Sequence, residues 1–228
     1  MRLEVLYEDN HLLAVAKPAG IATMGAVPGQ PSLLLAAKQY IKHKHRKPGN
    51  VYLGVVSRLD APVTGAVVFA RTSKAAARLS AQFREGRVHK SYWAVIERVP
   101  EPDHGACSDW LRKDDVRHRM EVVEQGISAA QEARLEYRVL QRLARGALLE
   151  VVLRTGRKHQ IRVQLASRGW PILGDAKYGS RVRFGTAIAL HARAIELTHP
   201  VHQTRLRWVA PLPESWQRFG IAAEILES

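Results

Sequence analysis

Ser57-Arg58-Leu59-Asp60-Ala61-Pro62-Val63-Thr64-Gly65 places one acid behind an arginine in a turn that contains proline and glycine. Thr155-Gly156-Arg157-Lys158-His159-Gln160-Ile161-Arg162 packs three cations and a histidine into the expected start of a helix. A carboxylate in a turn stiffened by Pro62 and opened by Gly65 can be held rigidly and still be reached by a substrate. On spacing alone, Asp60 reads as an ordinary turn aspartate bonding its own backbone. Arg58 precedes it by two residues, so on an extended strand both would point to one face; a structural salt bridge is the plainer role for that arginine. Arg157, Lys158 and Arg162 fall in the first turns of the expected helix, where the dipole disfavours cations. That local cost suggests a reason beyond helix stability, with a solvated basic face as the alternative, weaker for Arg162 than for Arg157 and Lys158.

Outward from these two stretches, the pattern predicts a mixed fold. Leu3 to Tyr7 and Leu12 to Ala16 read as short strands joined by the turn residues Asp9-Asn10. From Ser32 to about His43 the apolar spacing is helical, ending in the basic loop Lys42-His43-Lys44-His45-Arg46-Lys47-Pro48-Gly49. Val67 to Ala70 fits a buried strand, and Ser73 is a good N-cap for a helix running to Gly86. Val88 to Val99, rich in β-branched and aromatic residues, reads as a central strand carrying Tyr92, and Pro100 to His104 as a loop. The segments near Arg134 to Leu143 and Ala147 to Arg154 look like an antiparallel pair across Ala144-Arg145-Gly146. Lys158 to Ser167 turns helical and closes at Gly169. Late strands near Ala187 to Leu197 and Thr204 to Val209 precede an amphipathic helix from about Glu214 to Leu226. The expected class is α+β, a mixed α/β domain, with no internal repeat: one catalytic-type domain over residues 1–228, in one piece or in two lobes sharing a sheet.

Composition narrows the partners. The 228 residues are 46% hydrophobic, enough for one substantial core or two small ones. Lys plus Arg number 35 against 21 acids, a net charge of +14 that exceeds what solubility requires and points to a polyanion. No apolar run approaches the roughly 18 residues of a spanning helix. Met1-Arg2-Leu3-Glu4-Val5 alternates like a strand and lacks the apolar core and cleavage site of a signal peptide, so a cytoplasmic location with no membrane partner is expected. The lone Cys107 excludes an internal disulfide framework and offers no clustered thiols for zinc. The basic loop at 42–49 reads as a contact to phosphate or as a merely solvated charge run; its histidines lack the Cys or acid neighbours of a metal site.

Five landmarks follow in order along the chain: Tyr7-Glu8-Asp9; Lys17-Pro18-Ala19-Gly20; Arg58-Leu59-Asp60; Lys90-Ser91-Tyr92-Trp93-Ala94; and Gly156 to Arg162 continuing into Gly174-Asp175. Together they resemble the RluA family of RNA pseudouridine synthases, from the opening residues to about Pro200. The chain departs from the family pattern at Ser57, where the family has His; at Thr64-Gly65, for Ser-Gly; and at Thr23-Met24, for His-Pro. These departures bear on RNA contacts or packing, and so on the choice of substrate more than on the chemistry.

The resemblance implies a pseudouridine synthase fold with a largely antiparallel central sheet and an RNA-binding cleft. It also implies an isomerisation that needs no cofactor and no metal. Asp60 matches the family's nucleophilic aspartate. Arg162 matches the arginine that pairs with that aspartate, a bidentate contact that would keep the acid ionised. Tyr92 matches the tyrosine that stacks on the target uracil and is available for the late proton removal; without the resemblance a strand tyrosine is more often core. Ile161 is expected to line the same pocket, and Arg58 to fill the gap left when the nucleotide is extruded. Arg157, Lys158, His159, Gln160, Lys90 and Lys177 are weaker candidates for contacting RNA or positioning the helix. Many relatives carry a basic RNA-binding domain ahead of the catalytic one; here the catalytic pattern starts within the first dozen residues, so RNA binding is expected from the domain itself or from insertions such as 42–49. The implied partner is a ribosomal or transfer RNA stem-loop, and the simplest assembly is a monomer. The reading from another class is a catalytically idle RNA-binding or ribosome-assembly protein on the same fold. A metal-dependent nuclease has no carboxylate cluster to support it.

Overall fold

The computed structural model describes residues 3–25 and 30–226. Met1 and Arg2, part of the expected N-terminal alternation, lie outside the described residues. The chain runs β1 (Glu4–Glu8), β2 (Leu12–Lys17), α1 (Leu33–Lys44), β3 (Gly54–Val55), β4 (Thr64–Ala70), α2 (Ser73–Arg84), β5 (His89–Ile96), β6 (His104–Asp114), β7 (Arg119–Val123), β8 (Gln131–Arg142), β9 (Ala147–Leu153), α3 (Gln160–Ser167), β10 (Leu190–Thr198), β11 (Arg205–Val209) and α4 (Ala223–Leu226). It forms two compact units, Met1–Lys90 with Ala192–Leu212, and Ser91–His191 with Pro213–Ser228.

In the first unit the strands lie in the order β1-β2-β4-β10, with β3 beside β4 and β11 beside β10. Strand β4 is buried at every position because both of its faces are covered. Alternate residues divide between two cores: Ala66, Val68 and Ala70 pack with Leu12, Ala14 and the α2 residues Ala75 and Leu79, while Val67 and Phe69 pack with Leu13, Val15 and the α1 residues Leu33, Ala37 and Ile41. The period of two along each strand sorts its side chains to opposite faces. Gly65 has φ of +116° and lies so close to Ala192 that an added Cβ would meet its carbonyl oxygen at 2.3 Å. Only glycine fits this start of β4.

In the second unit β5-β9-β8-β6-β7 are neighbours in that order. The antiparallel β8-β9 pair is the one expected across Ala144-Arg145-Gly146. The β6-β7 hairpin was not legible in the pattern, because Arg112, Lys113, Asp114, Arg119 and Glu121 make it read as a polar loop. Its register sets Arg112 opposite Glu121 and Asp114 opposite Arg119, with Lys113 opposite Met120, while Cys107 and Leu111 are buried. Val163 and Tyr178 pack with Leu111 and Ala133 to seat α3 on this sheet.

Several boundaries differ from expectation. The cap of α2 is Thr72, whose hydroxyl accepts the amide of Ala75, and not Ser73. Strand β5 stops at Ile96, short of Val99. Helix α3 begins at Gln160 after a left-handed His159, so Arg157 and Lys158 precede the helix and only Arg162 sits in its first turn. Residues 56–60 form no strand, so the alternation argument for Arg58 and Asp60 does not apply. The expected C-terminal helix is a 3-10 turn over Glu214–Phe219, broken at Gly220, whose φ is +56°, and followed by the four-residue α4.

Candidate active site

The first unit presents Asp60 on a turn fixed through its backbone. The side chain of Thr23 is buried and grips both polar groups of Leu59: Oγ1 donates to the Leu59 carbonyl at 2.9 Å and accepts the Leu59 amide at 2.9 Å. Thr23 is in turn tied to α1, since its carbonyl accepts the amide of Leu34 at 3.0 Å. On the far side of Asp60, the Ala61 carbonyl accepts from Lys17 Nζ at 3.0 Å and from the Gly20 amide at 2.9 Å. Lys17 Nζ also donates to the carbonyls of Pro18 and Ile21, both at 2.8 Å. The Asp60 carbonyl accepts the amide of Val63, which closes the turn. Ser57 anchors the approach to the turn, accepting the Val68 amide at 3.1 Å and donating to the Val68 carbonyl at 3.4 Å. These contacts hold the residues on both sides of Asp60, which is itself half-buried.

Lys17 is an ammonium taken out of water. Burial pushes its pKa down to about 8, against the charge of Asp60, which pulls it up. Lys90, half-buried with Nζ 5.8 Å from the Phe83 ring centroid, is also shifted down by burial. Arg58 is exposed.

The second unit holds Tyr92, Arg162 and the 157–161 segment. Tyr92 lies on β5 opposite Val151 and is 9% exposed. Arg162 makes a bidentate ion pair with Asp175, Nε to Oδ2 at 2.7 Å and Nη2 to Oδ1 at 2.9 Å, with both side chains buried. Its guanidinium also faces the Tyr178 ring at 5.0 Å from the centroid. The Tyr178 hydroxyl accepts the Met120 amide at 2.9 Å and bonds His159 Nδ1 at 2.8 Å. This arrangement accounts for a cation in the first turn of α3: the carboxylate of Asp175 compensates the unfavourable dipole. Gly174 must precede Asp175, because a Cβ there would meet Phe184 Cβ at 2.6 Å.

Gln160 shapes the loop before α3, accepting from the Thr155 hydroxyl at 2.8 Å and the Arg157 amide at 2.9 Å and donating to the Arg134 carbonyl at 3.0 Å. Arg157 and Lys158 are exposed, with Arg157 Nε bonded to the Glu132 carbonyl, and Ile161 is buried. Lys177 donates to the His118 carbonyl. Tyr178 was not among the expected site residues; Lys17 and Asp175 appeared only within landmarks, and Thr23 only as a departure from the family pattern. The clue available in the chain was a lysine closing the apolar run Leu-Leu-Ala-Val-Ala-Lys, a charge where a core strand enters a turn.

Asp9, His199 and His202 bring ligand-type atoms within 4.8 Å of one another. Two of the three already have partners: His199 Nδ1 accepts the amides of Val201 and His202, and Nε2 bonds Asp9 Oδ2 at 2.8 Å. Asp9 Oδ1 accepts two amides of the β1-β2 turn. This donor set suits a turn lock and does not suit a metal.

The family model described as RNA pseudouridylate synthase matches residues 11–167, a span that includes Asp60, Tyr92 and Arg162. A Pseudomonas aeruginosa protein named ribosomal large subunit pseudouridine synthase D is 35% identical over 95% of this chain and 70% of its own length. A Nitrosomonas europaea protein of the same name is 36% identical over 93% of this chain and 62% of its own. Among solved structures, human RNA pseudouridylate synthase domain containing 4 superposes with a TM-score of 0.78 at 28% identity, covering 96% of this chain and 94% of that one. Human RNA pseudouridylate synthase domain containing 1 gives 0.70 at 21% identity, over 100% of this chain and 95% of that one, a likeness of fold. On that family match and a 35% identity spanning nearly the whole chain, this protein belongs to the RluA family of RNA pseudouridine synthases.

Proposed function

We propose that the protein isomerises specific uridines to pseudouridine in structured ribosomal or transfer RNA, with Asp60 as the attacking carboxylate. Large-subunit ribosomal RNA is the first substrate to test, because the curated relatives carry it in their names. The reaction breaks the bond between the ribose and N1 of uracil, turns the base, joins the ribose to C5 and removes the C5 proton, while the freed N1 takes up a proton in its place. Atoms and electrons balance within the nucleotide, so no oxidant, reductant or co-substrate is called for. The observation that carries this reading is the turn around Asp60, whose backbone is clasped on both sides by Thr23, Lys17 and Gly20. A turn held in this way presents its carboxylate from a fixed backbone.

In the same reading Tyr92 stacks on the uracil and serves the late proton removal, and Arg162 supports the Asp60 carboxylate. Stacking of this kind contributes roughly 1 to 3 kcal/mol per base. Arg58 takes the place of the extruded nucleotide, Ile161 lines the base pocket, and Arg157, Lys158, His159, Gln160 and Lys90 serve RNA contact or helix placement. The protein works as a cytoplasmic monomer; among the described residues no helix is long and apolar enough to cross a membrane.

The test is pseudouridine mapping by carbodiimide labelling in wild-type, gene-deleted and Asp60→Asn cells. One or a few sites lost in both mutants establish the activity and name the substrate. Sites that persist in Asp60→Asn but vanish in the deletion remove Asp60 from the chemistry.

A further inference from the structure

Helices α1, α2 and α3 end in the same backbone motif. The amide two residues past the cap closes on a carbonyl five residues earlier: Lys47 to Lys42, Arg87 to Gln82, Trp170 to Leu165. The amide one past the cap reaches back three: Arg46 to His43, Gly86 to Phe83, Gly169 to Ala166. The motif requires a positive φ at that residue, which glycine adopts at least cost. Gly86 (φ +69°) and Gly169 (φ +77°) obey this, whereas α1 places Arg46 there, at φ +47°. Helix stability therefore did not select the arginine.

The surroundings of Arg46 point the same way. Lys42, His43, Arg46 and Lys47 are all exposed, and none has a carboxylate partner among the described residues. Some exposed arginines are matched to acids, as Arg138 is to Glu150, Arg142 to Asp103 and Arg154 to Glu136, whereas here Lys42, His43, Arg46 and Lys47 crowd into one six-residue stretch without one. Lys44 and His45 turn back onto Glu8 at 2.7 and 2.6 Å, where Tyr40 and Arg71 also bond that carboxylate, so the turn is pinned to β1. The helix dipole accounts for cations in the last turn, but its influence fades there, and Arg46 and Lys47 lie past it.

We infer that the Lys42–Lys47 turn is a preformed docking surface for the phosphate backbone of RNA, distinct from the residues proposed for the reaction. It would fix the substrate's position without reading its sequence, since contacts to phosphate carry no base information. This inference rests on RNA being the substrate.

Two variants test it, Arg46→Gly and the triple Lys42→Gln, Arg46→Gly, Lys47→Gln. Each is measured for thermal unfolding, for affinity to a large-subunit ribosomal RNA fragment across a salt series, and for turnover at saturating RNA. Arg46→Gly is expected to unfold at the same or a higher temperature while binding RNA more weakly. The triple variant should lose roughly 2 to 3 from the slope of log affinity against log salt, since each phosphate contact contributes about 0.7 to 0.9. Its dissociation constant should rise by about tenfold or more near physiological salt, with unchanged turnover once RNA saturates. Wild-type affinity and slope in the triple variant overturn the inference. If the wild-type protein forms no pseudouridine but the triple variant still loses affinity and slope, the docking surface stands and the catalytic reading fails.

Discussion

In the first unit the turn bearing Asp60 is held by side chains that grip backbone, Thr23 on the amide and carbonyl of Leu59 and Lys17 on the carbonyl of Ala61. In the second, Arg162 is held side chain to side chain, by the carboxylate of Asp175 and the face of Tyr178. A clasp on the backbone fixes the path of a loop whatever residues the loop carries, so the gripping residue matters and the gripped one can vary. A buried ion pair depends on both members, because removing either leaves a charge without compensation. The Asp60 turn is thus guarded by a few hydroxyl and ammonium donors, and Arg162 by a matched pair.

The sharpest test of this contrast is Asp60→Asn. It should lower turnover on RNA by about 10^4 or more while leaving the thermal midpoint near that of wild type, since no backbone clasp is touched. A midpoint that falls with activity would show that the carboxylate helps to build its own turn. Next, Asp175→Asn should cost about 3 to 5 kcal/mol in urea unfolding, because it removes the bidentate carboxylate that compensates the buried Arg162 charge. The double change Arg162→Met with Asp175→Leu should recover much of that stability and none of the activity. Recovery of activity in the double variant would dismiss Arg162 from the reaction.

Glu8 adds a pH dependence. Burial pushes its carboxyl up, and hydrogen bonds from Lys44, His45 and Tyr40 outweigh that, bringing its pKa from 4.5 down to about 2. The folded protein therefore keeps Glu8 charged where the unfolded chain protonates it. The stability it contributes is complete above about pH 4.5 and is lost as pH falls to about 2. Acid titration of unfolding should lose part of its slope in this window in Glu8→Gln, and an unchanged slope would show that the hub is not coupled to folding.

Thr23→Val removes both bonds to Leu59 and should cost about 1 to 3 kcal/mol with a drop in turnover, whereas Thr23→Ser should recover most of both. Equal behaviour of the two variants would mean that shape, not the hydroxyl, holds the turn. Ser57→Ala should be the mildest, below about 1 kcal/mol, since its bonds to Val68 are longer and only partly buried.

Much of the fold was legible where local chemistry repeats. The apolar runs of β2 and β4, the spacing of α1 and α2, and the glycine stops at Gly86 and Gly169 all follow from patterns within a few residues. The β6-β7 hairpin was not legible because its polar residues hide the strand pattern, while Arg112 pairs with Glu121 across the ladder and Lys113 and Asp114 pair with Asp115 and Arg117 near the turn. The helix expected up to Leu226 failed at Gly220, where a left-handed residue interrupts it. In the candidate site, Asp60 and Arg162 stood out through motif order. Lys17 and Thr23 stood in a landmark and a departure, but their roles as clasps were not legible, because the groups they hold lie 44 and 36 residues away.

The sequence by itself determined the family, the mixed fold class, the polyanionic partner implied by +14 charge and the residues to suspect, all carried by short ordered motifs and by composition. Only the tertiary structure decided what holds those residues: that Thr23 and Lys17 clasp the Asp60 turn, that Asp175 pairs with Arg162, and that Arg46 occupies a glycine position at the end of α1. The clasp and the cap depend on backbone groups or conformations that no residue's identity announces, and the ion pair on two side chains 13 residues apart meeting in the fold. A hydrogen bond to a carbonyl across tens of residues, or a positive φ, exists only once the chain has closed on itself.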